Sequence, residues 1–199
     1  MKVALGLKAH SGWAALVCLA SERGELRVTQ RKRIELVEPD AMWAKQPYHA
    51  VEHLESKAAC ELVKRASQHV RGVAVRQLRE IVSQCQASAY ELVGCAVLTP
   101  EPMPAWSTSE ILAVHFRMHK AEGVLFPDAL CRAAEACGLA FVPVPEKQLH
   151  TLAKDIIGAP LDRVMDGVTS LGKSVGAPWG RDQKLAALAA MIALRAPRH

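Results

Sequence analysis

Val3-Ala4-Leu5-Gly6-Leu7-Lys8-Ala9-His10-Ser11-Gly12-Trp13-Ala14-Ala15-Leu16-Val17-Cys18-Leu19-Ala20 places two apolar segments on either side of a polar, glycine-bearing turn. Apolar runs of strand length bounded by turn residues read as paired β-strands. A third such segment, Leu26 to Val37, follows Ser21-Glu22-Arg23-Gly24-Glu25, where Gly24 suits a hairpin turn. The three segments predict an antiparallel meander. Beyond Pro47 the pattern changes to helices separated by only two further strands, so the meander is expected to be the edge and seed of a mixed sheet.

The meander ends near Glu38-Pro39-Asp40, and Met42-Trp43-Ala44-Lys45-Gln46-Pro47-Tyr48-His49 follows. This loop is too apolar for a plain linker; it either packs over the sheet edge or holds Lys45, Gln46, Tyr48 and His49 over a cleft. From about Ala50 to Gln86 the apolar residues keep helical spacing, as one very long helix or as two with Gly72 the natural break. Tyr90 to Leu98 is nearly all apolar, as a central strand covered on both faces should be. Three prolines within Pro100-Glu101-Pro102-Met103-Pro104 make a stiff extended connection, and Ser107 with Glu110 forms a capping-box signature. The next helix is expected from Ile111 to Lys120 or on to Cys137, stopped by Gly138; a fifth strand covers Leu139 to Val144. Helices are expected over Glu146 to Ile157 and Leu161 to Leu171, then a glycine-rich loop over Gly172 to Gly180, then a last helix over Asp182 to Leu194. Both late strands follow helices, so the first, fourth and fifth strands are expected to run parallel through right-handed crossovers.

Half of the 199 residues are apolar, enough to fill the core of one domain. No apolar run reaches the ~20 residues that span a bilayer, and the N-terminus alternates like a strand where a signal peptide would show a basic flank. A cytoplasmic location without membrane attachment is expected. The six cysteines are scattered through apolar segments with no CxxC pair, which suits buried reduced thiols. Lys and Arg outnumber Asp and Glu by 14 to 10 in residues 1–100 and by 11 to 10 in the remainder. Arg31-Lys32-Arg33, with Arg65, Arg71, Arg76 and Arg79 on the following helix, forms either a phosphate-facing surface or a solvated basic face.

In order and spacing, four segments resemble the ribonuclease-H-like superfamily, and within it the RuvC-like resolvase branch. Val3 to Trp13 resembles its first hairpin, and Met118-His119-Lys120-Ala121-Glu122-Gly123-Val124 resembles the helix after the fourth strand. Gly138-Leu139-Ala140-Phe141-Val142-Pro143-Val144-Pro145 resembles its fifth strand, and Asp182-Gln183-Lys184-Leu185-Ala186-Ala187-Leu188-Ala189-Ala190 its last helix. The resemblance implies an α/β fold: a ribonuclease-H-like mixed five-stranded sheet, made of the three-stranded meander plus two parallel strands, flanked by helices. Residues 1–199 are expected to form a single such domain, with 158–180 a loop or helical insertion before the last helix.

Active members of that family hold two divalent metals, Mg or Mn, on carboxylates at the ends of the first and fourth strands and the start of the last helix, and cleave phosphodiesters. The resemblance therefore implies DNA or RNA, branched or single-stranded, as partner, and a homodimer, since members of this branch often work as dimers. This chain departs where the resemblance matters most. Lys8 stands in the place of the first-strand aspartate, the fourth strand ends in Leu98-Thr99-Pro100 with Glu101 beyond the proline, and only Asp182 falls where a family carboxylate should. The implied function is a nucleic-acid-binding protein, either a divergent or inactive metal-dependent nuclease or a non-catalytic interaction or assembly module on the same fold.

A different polar cluster lies on the helix after the fourth strand. His115, His119 and Glu122 are spaced i, i+4 and i+7 and share one face, which suits either a His-His-carboxylate metal site or an acid/base pair oriented by a carboxylate. The fold expectation brings them toward Lys8, His10, Asp182 and Lys184, so Lys8, His119, Glu122 and Asp182 are the candidate catalytic residues and His115, His119, Glu122 and Asp182 the candidate metal ligands. The alternative is ordinary structural contact. Trp179, in a glycine-proline loop before the last helix, either stacks on a base or closes the core, while Arg181 and Lys184 beside that helix start would attract phosphate. Arg31, Lys32, Arg33, Trp179, Arg181 and Lys184 are thus the candidate nucleic-acid contacts.

Overall fold

The structure, a computed structural model, describes residues 1–196. Strands β1 (Lys2–His10), β2 (Trp13–Glu22) and β3 (Glu25–Glu35) form the expected meander. β1 and β2 pair without interruption from Lys2 opposite Ser21 to His10 opposite Trp13. Gly12 makes the connecting turn possible, since its φ of +88° is a conformation side chains disfavour. β4 (Glu91–Thr99) and β5 (Phe141–Pro145) complete the order β3-β2-β1-β4-β5, with β1, β4 and β5 parallel. This is the ribonuclease-H-like mixed sheet. β1 lies at the antiparallel-to-parallel boundary, covered on both faces and both edges, which explains its unbroken apolar run.

Helices α1 (Pro47–Ala50), α2 (Ser56–Ala87), α3 (Thr108–Leu112), α4 (His115–Ala136), α5 (Leu149–Ile157), α6 (Leu161–Val175) and α7 (Arg181–Arg195) cover the sheet. Val3, Leu5 and Leu7 of β1 face a core built with Ala66, Val70, Leu78, Phe126 and Leu130 of α2 and α4. Ala4 joins the opposite core, with Leu149, Val168, Ala186 and Ala190 of α5, α6 and α7. The period of two along β1 therefore divides the molecule, and Lys8 and His10 fall on the α7 face.

Several boundaries differ from the sequence expectation. α2 begins at Ser56, later than Ala50, and of the two readings of this stretch the single long helix holds, 32 residues unbroken at Gly72. A mid-helix glycine costs about 1 kcal/mol, and the buried stripe Ala66, Val70, Val73, Ala74, Leu78 and Ile81 outweighs it. The helix expected from Ile111 is two, separated at Ala113-Val114; the predicted capping box is present on α3, where Ser107 Oγ accepts from Glu110 N and Ser107 N donates to Glu110. The Ser107 backbone N–H, and then the Ser107 hydroxyl donating to the same carboxylate at 2.8 Å, hold the Glu110 carboxyl below its ordinary range. α6 extends to Val175, so the glycine-rich loop shortens to 176–180.

All six cysteines are free; Cys18, Cys85 and Cys95 are buried and the other three half-buried. Burial, with Cys131 and Cys137 nearby, pushes the Cys95 thiol up to about 12. Alkylation at about pH 8 is therefore expected to label half-exposed Cys60 in the native protein and Cys95 only after denaturation, as peptide mass spectrometry would show. Labelling of native Cys95 at the Cys60 rate would contradict this packing.

Candidate functional site

Polar residues gather at two places. The first is the end of β1. Sheet register aligns Arg33, Ala15, Lys8, Leu98 and Val144 across all five strands, and the row two residues on, on the same face, holds Glu35, Trp13 and His10. Lys8 Nζ donates to the carboxylate of Glu146, the residue that follows β5. His10 Nε2 lies 3.0 Å from Asp182 Oδ1 in the first turn of α7. The His10 ring stacks on Trp13, with centroids 4.4 Å apart and planes 14° from parallel. The Arg33 guanidinium lies 4.0 Å from the Trp13 ring centroid and its Nε donates to Glu35 at 2.6 Å. The end of β1 thus carries the Lys8–Glu146 pair beside a chain of contacts from Asp182 through His10 and Trp13 to Arg33.

The second place joins α1 to α4. Glu122 is the one buried charged side chain among the described residues, at 4 % exposure. Its Oε1 accepts from the backbone N–H groups of Tyr48 (3.2 Å) and His49 (3.3 Å), and His49 Nδ1 lies 2.9 Å from each of its oxygens. Pro47 starts α1 where no N–H is needed, and Glu122 satisfies the two donors that follow. Burial, and then the Glu122 charge, raise the Tyr48 hydroxyl above its ordinary value. His115 and His119, one turn apart on α4, bring their Nε2 atoms to 3.0 Å, and the His49 ring centroid lies 5.2 and 4.8 Å from theirs. One nitrogen from each of the three rings falls within 4.8 Å of the others.

Of the residues singled out from the sequence, Lys8 and Asp182 stand in the first group and His115, His119 and Glu122 in the second. Among the described residues no hydrogen bond or ion pair links the two groups. Glu122 pairs with His49 across 73 residues. The loop 42–49 signalled itself by its apolar and histidine content, but spacing on α4 alone gave no reason to add His49 to the cluster. Arg31-Lys32-Arg33 divides between faces. Arg31 donates to the carbonyls of Gly176 (2.9 Å), Ala177 (3.2 Å) and Pro178 (2.6 Å), fastening the loop before α7, whereas Lys32 reaches Gln84 on α2 at 2.8 Å. On α2, Arg71 pairs with Asp128 at 2.9 Å, Arg76 with Glu38 at 2.5 Å, and Arg65 lies 4.7 Å from the Trp43 ring centroid. The indole of Trp179 donates to Val168 O at 2.9 Å and its ring covers Gly172. Arg181 is exposed at the start of α7, and Lys184 is half-buried one turn on.

No family model matches the chain, and no curated protein matches it. Among solved structures, RuvC of T. thermophilus in complex with a Holliday junction substrate aligns with a TM-score of 0.52 at 12% identity, over 96% of this chain and 92% of that one. The fold is RuvC-like. A second Thermus thermophilus RuvC structure aligns with a TM-score of 0.51 at 13% identity over the same shares. The RuvC-like fold thus takes in both the meander and the late parallel strands, and no helix among the described residues is long and apolar enough to cross a membrane.

Proposed function

We propose that this RuvC-like chain binds structured nucleic acid, with branched DNA the favoured ligand, and does not carry out two-metal phosphodiester cleavage at the end of β1. The observation that carries the reading is the Lys8–Glu146 pair. An ammonium occupies the β1 position and takes Glu146 as its partner, and Asp182 Oδ1 lies 3.0 Å from His10 Nε2 without a hydrogen bond between them. Glu101, beyond the end of β4, faces Lys147 at 3.7 Å. Two hard cations such as Mg or Mn need several free oxygen ligands, and this donor set does not fit them. What remains suits binding: the Arg33 guanidinium stacked on Trp13 at the sheet end, and Arg181 and Lys184 at the start of α7. Such groups hold phosphates and sugars by charge and stack on bases without breaking a bond. Support for branched DNA is the Holliday junction held by the RuvC structure that shares the fold.

Fluorescence anisotropy with a four-way junction, a duplex and a single strand tests this. Affinity for the junction is expected to fall steeply between about 50 and 200 mM salt, and Arg33→Glu to reduce the salt slope by at least about 1. No cleavage is expected with either Mg or Mn. Absence of binding at low salt overturns the reading; metal-dependent cleavage abolished by Asp182→Asn overturns its second half. An assembly module is the second reading, favoured by Phe116 and Val114, which are 64 % and 40 % exposed at the start of α4. Self-association lost in Phe116→Ser, with no nucleic-acid affinity, is the outcome that would select it.

A further inference from the structure

We infer that His49, His115 and His119 form a binding site for a transition-metal ion of the zinc class, with Glu122 the carboxylate that orients His49. The site is separate from the end of β1 and does not depend on nucleic-acid binding. A carboxylate can only accept, so the contact of His49 Nδ1 with both Glu122 oxygens puts the ring proton on Nδ1 and leaves the lone pair on Nε2. That carboxylate-to-histidine arrangement is the one that fixes tautomer and ring direction in metal-ligating histidines. Glu122 is itself held by two backbone N–H groups, so the orienting group is rigid. His115 and His119 sit one turn apart on the opposite wall and turn their Nε2 atoms toward each other, 3.0 Å apart.

Zinc–imidazole bonds of 2.0–2.1 Å in tetrahedral geometry place ligand nitrogens about 3.4 Å apart. One ring nitrogen from each histidine lies within 4.8 Å of the others, and the Nε2 atoms of His115 and His119 are 3.0 Å apart, so small rotations of these exposed side chains bring the three to that spacing. Three neutral imidazoles select zinc, cobalt, nickel or copper over Mg and Mn, which take oxygen. Without a cation, the close approach of His115 and His119 is served by one N–H and one lone pair. Three protein ligands leave a fourth position on the solvent side, where His115 and His119 are exposed.

The test uses the full chain purified without a polyhistidine tag. Titration with cobalt(II) alone is expected to give the visible absorption of a low-coordinate imidazole site, displaced by one equivalent of zinc, with no response to Mg. His119→Gln and His115→Gln change exposed side chains and should leave the circular dichroism spectrum intact while lowering zinc affinity at least about tenfold, and Glu122→Gln should lower it about 10–100-fold. Zinc binding that is substoichiometric, or unchanged in His119→Gln, overturns the site. Loss of zinc binding with junction affinity intact keeps this inference apart from the nucleic-acid reading, and loss of junction affinity alone leaves the metal site standing.

Discussion

Replacing Gly6 with alanine is expected to detach α7 from the sheet and cost at least about 3 kcal/mol, beyond the usual range for an added methyl group in a core. Gly6 is on the face of β1 that meets α7, and a Cβ there would lie 1.8 Å from the carbonyl oxygen of Ala186 and 2.6 Å from the backbone nitrogen of Ala190. Both opposing atoms are backbone, so no side chain can rotate away. Ala186, Ala187, Ala189 and Ala190 are all fully buried, and their small size is what lets the helix axis come so close to the strand. Moving α7 outward would also separate Asp182 from His10, since the strand carries one and the helix the other. Urea unfolding should show a lower midpoint. Gly123→Ala is the control, because nothing lies within 4 Å of a Cβ there and an alanine inside α4 should stabilise by up to about 1 kcal/mol. A Gly6→Ala midpoint matching the parent would mean the β1–α7 contact is looser than described.

The same glycine shows what was legible in the sequence. The first hairpin declared itself because both strands are buried on both faces and the turn carries Gly12; the alanine-rich last helix declared itself by composition. That the two touch at Gly6 is a matter of helix placement, and no local pattern encodes it. The division of Arg31-Lys32-Arg33 was partly readable, since neighbours on a strand point to opposite faces. The register shift between Cys18 and Leu19 on β2, opposite Val28 and Gln30, changes which residues of β3 share a face on either side of it, and that irregularity carried no sequence signal. The basic run itself lies in regular register with Ala15 to Val17, so alternation alone makes it two separate devices, Arg31 tying down the loop before α7 and Lys32 reaching α2.

The β1 end and the histidine cluster differ in the same way. Lys8 was conspicuous by its position after Gly6-Leu7, yet its partner Glu146 is 138 residues away and follows a strand predicted only from a short apolar run. His115, His119 and Glu122 were visible as one helix face. Sequence spacing made all three look like equivalent ligands, whereas burial separates them: the carboxylate turns inward to α1 and the imidazoles outward. The residue that completes the cluster, His49, is held by α1, a four-residue helix too short to show a period.

Glu122→Ala is accordingly expected to be the second severe substitution, at about 3 kcal/mol, because it strips three donors at once. The backbone N–H groups of Tyr48 and His49 lose their acceptor at the start of α1, and His49 Nδ1 loses the carboxylate that positions its ring. The vacated volume adds a cavity beneath Tyr48. Glu122→Gln keeps the size and one carbonyl oxygen, so it should retain part of the interaction and fall between the parent and the alanine variant. Unfolding is to be measured with a chelator present, which removes any contribution from bound metal and leaves only the local packing. Equal midpoints for the alanine and glutamine variants would show that the cavity dominates and the hydrogen bonds contribute little. A parent-like midpoint for Glu122→Ala would show that α1 does not depend on this carboxylate, and that His49 is positioned by something other than Glu122.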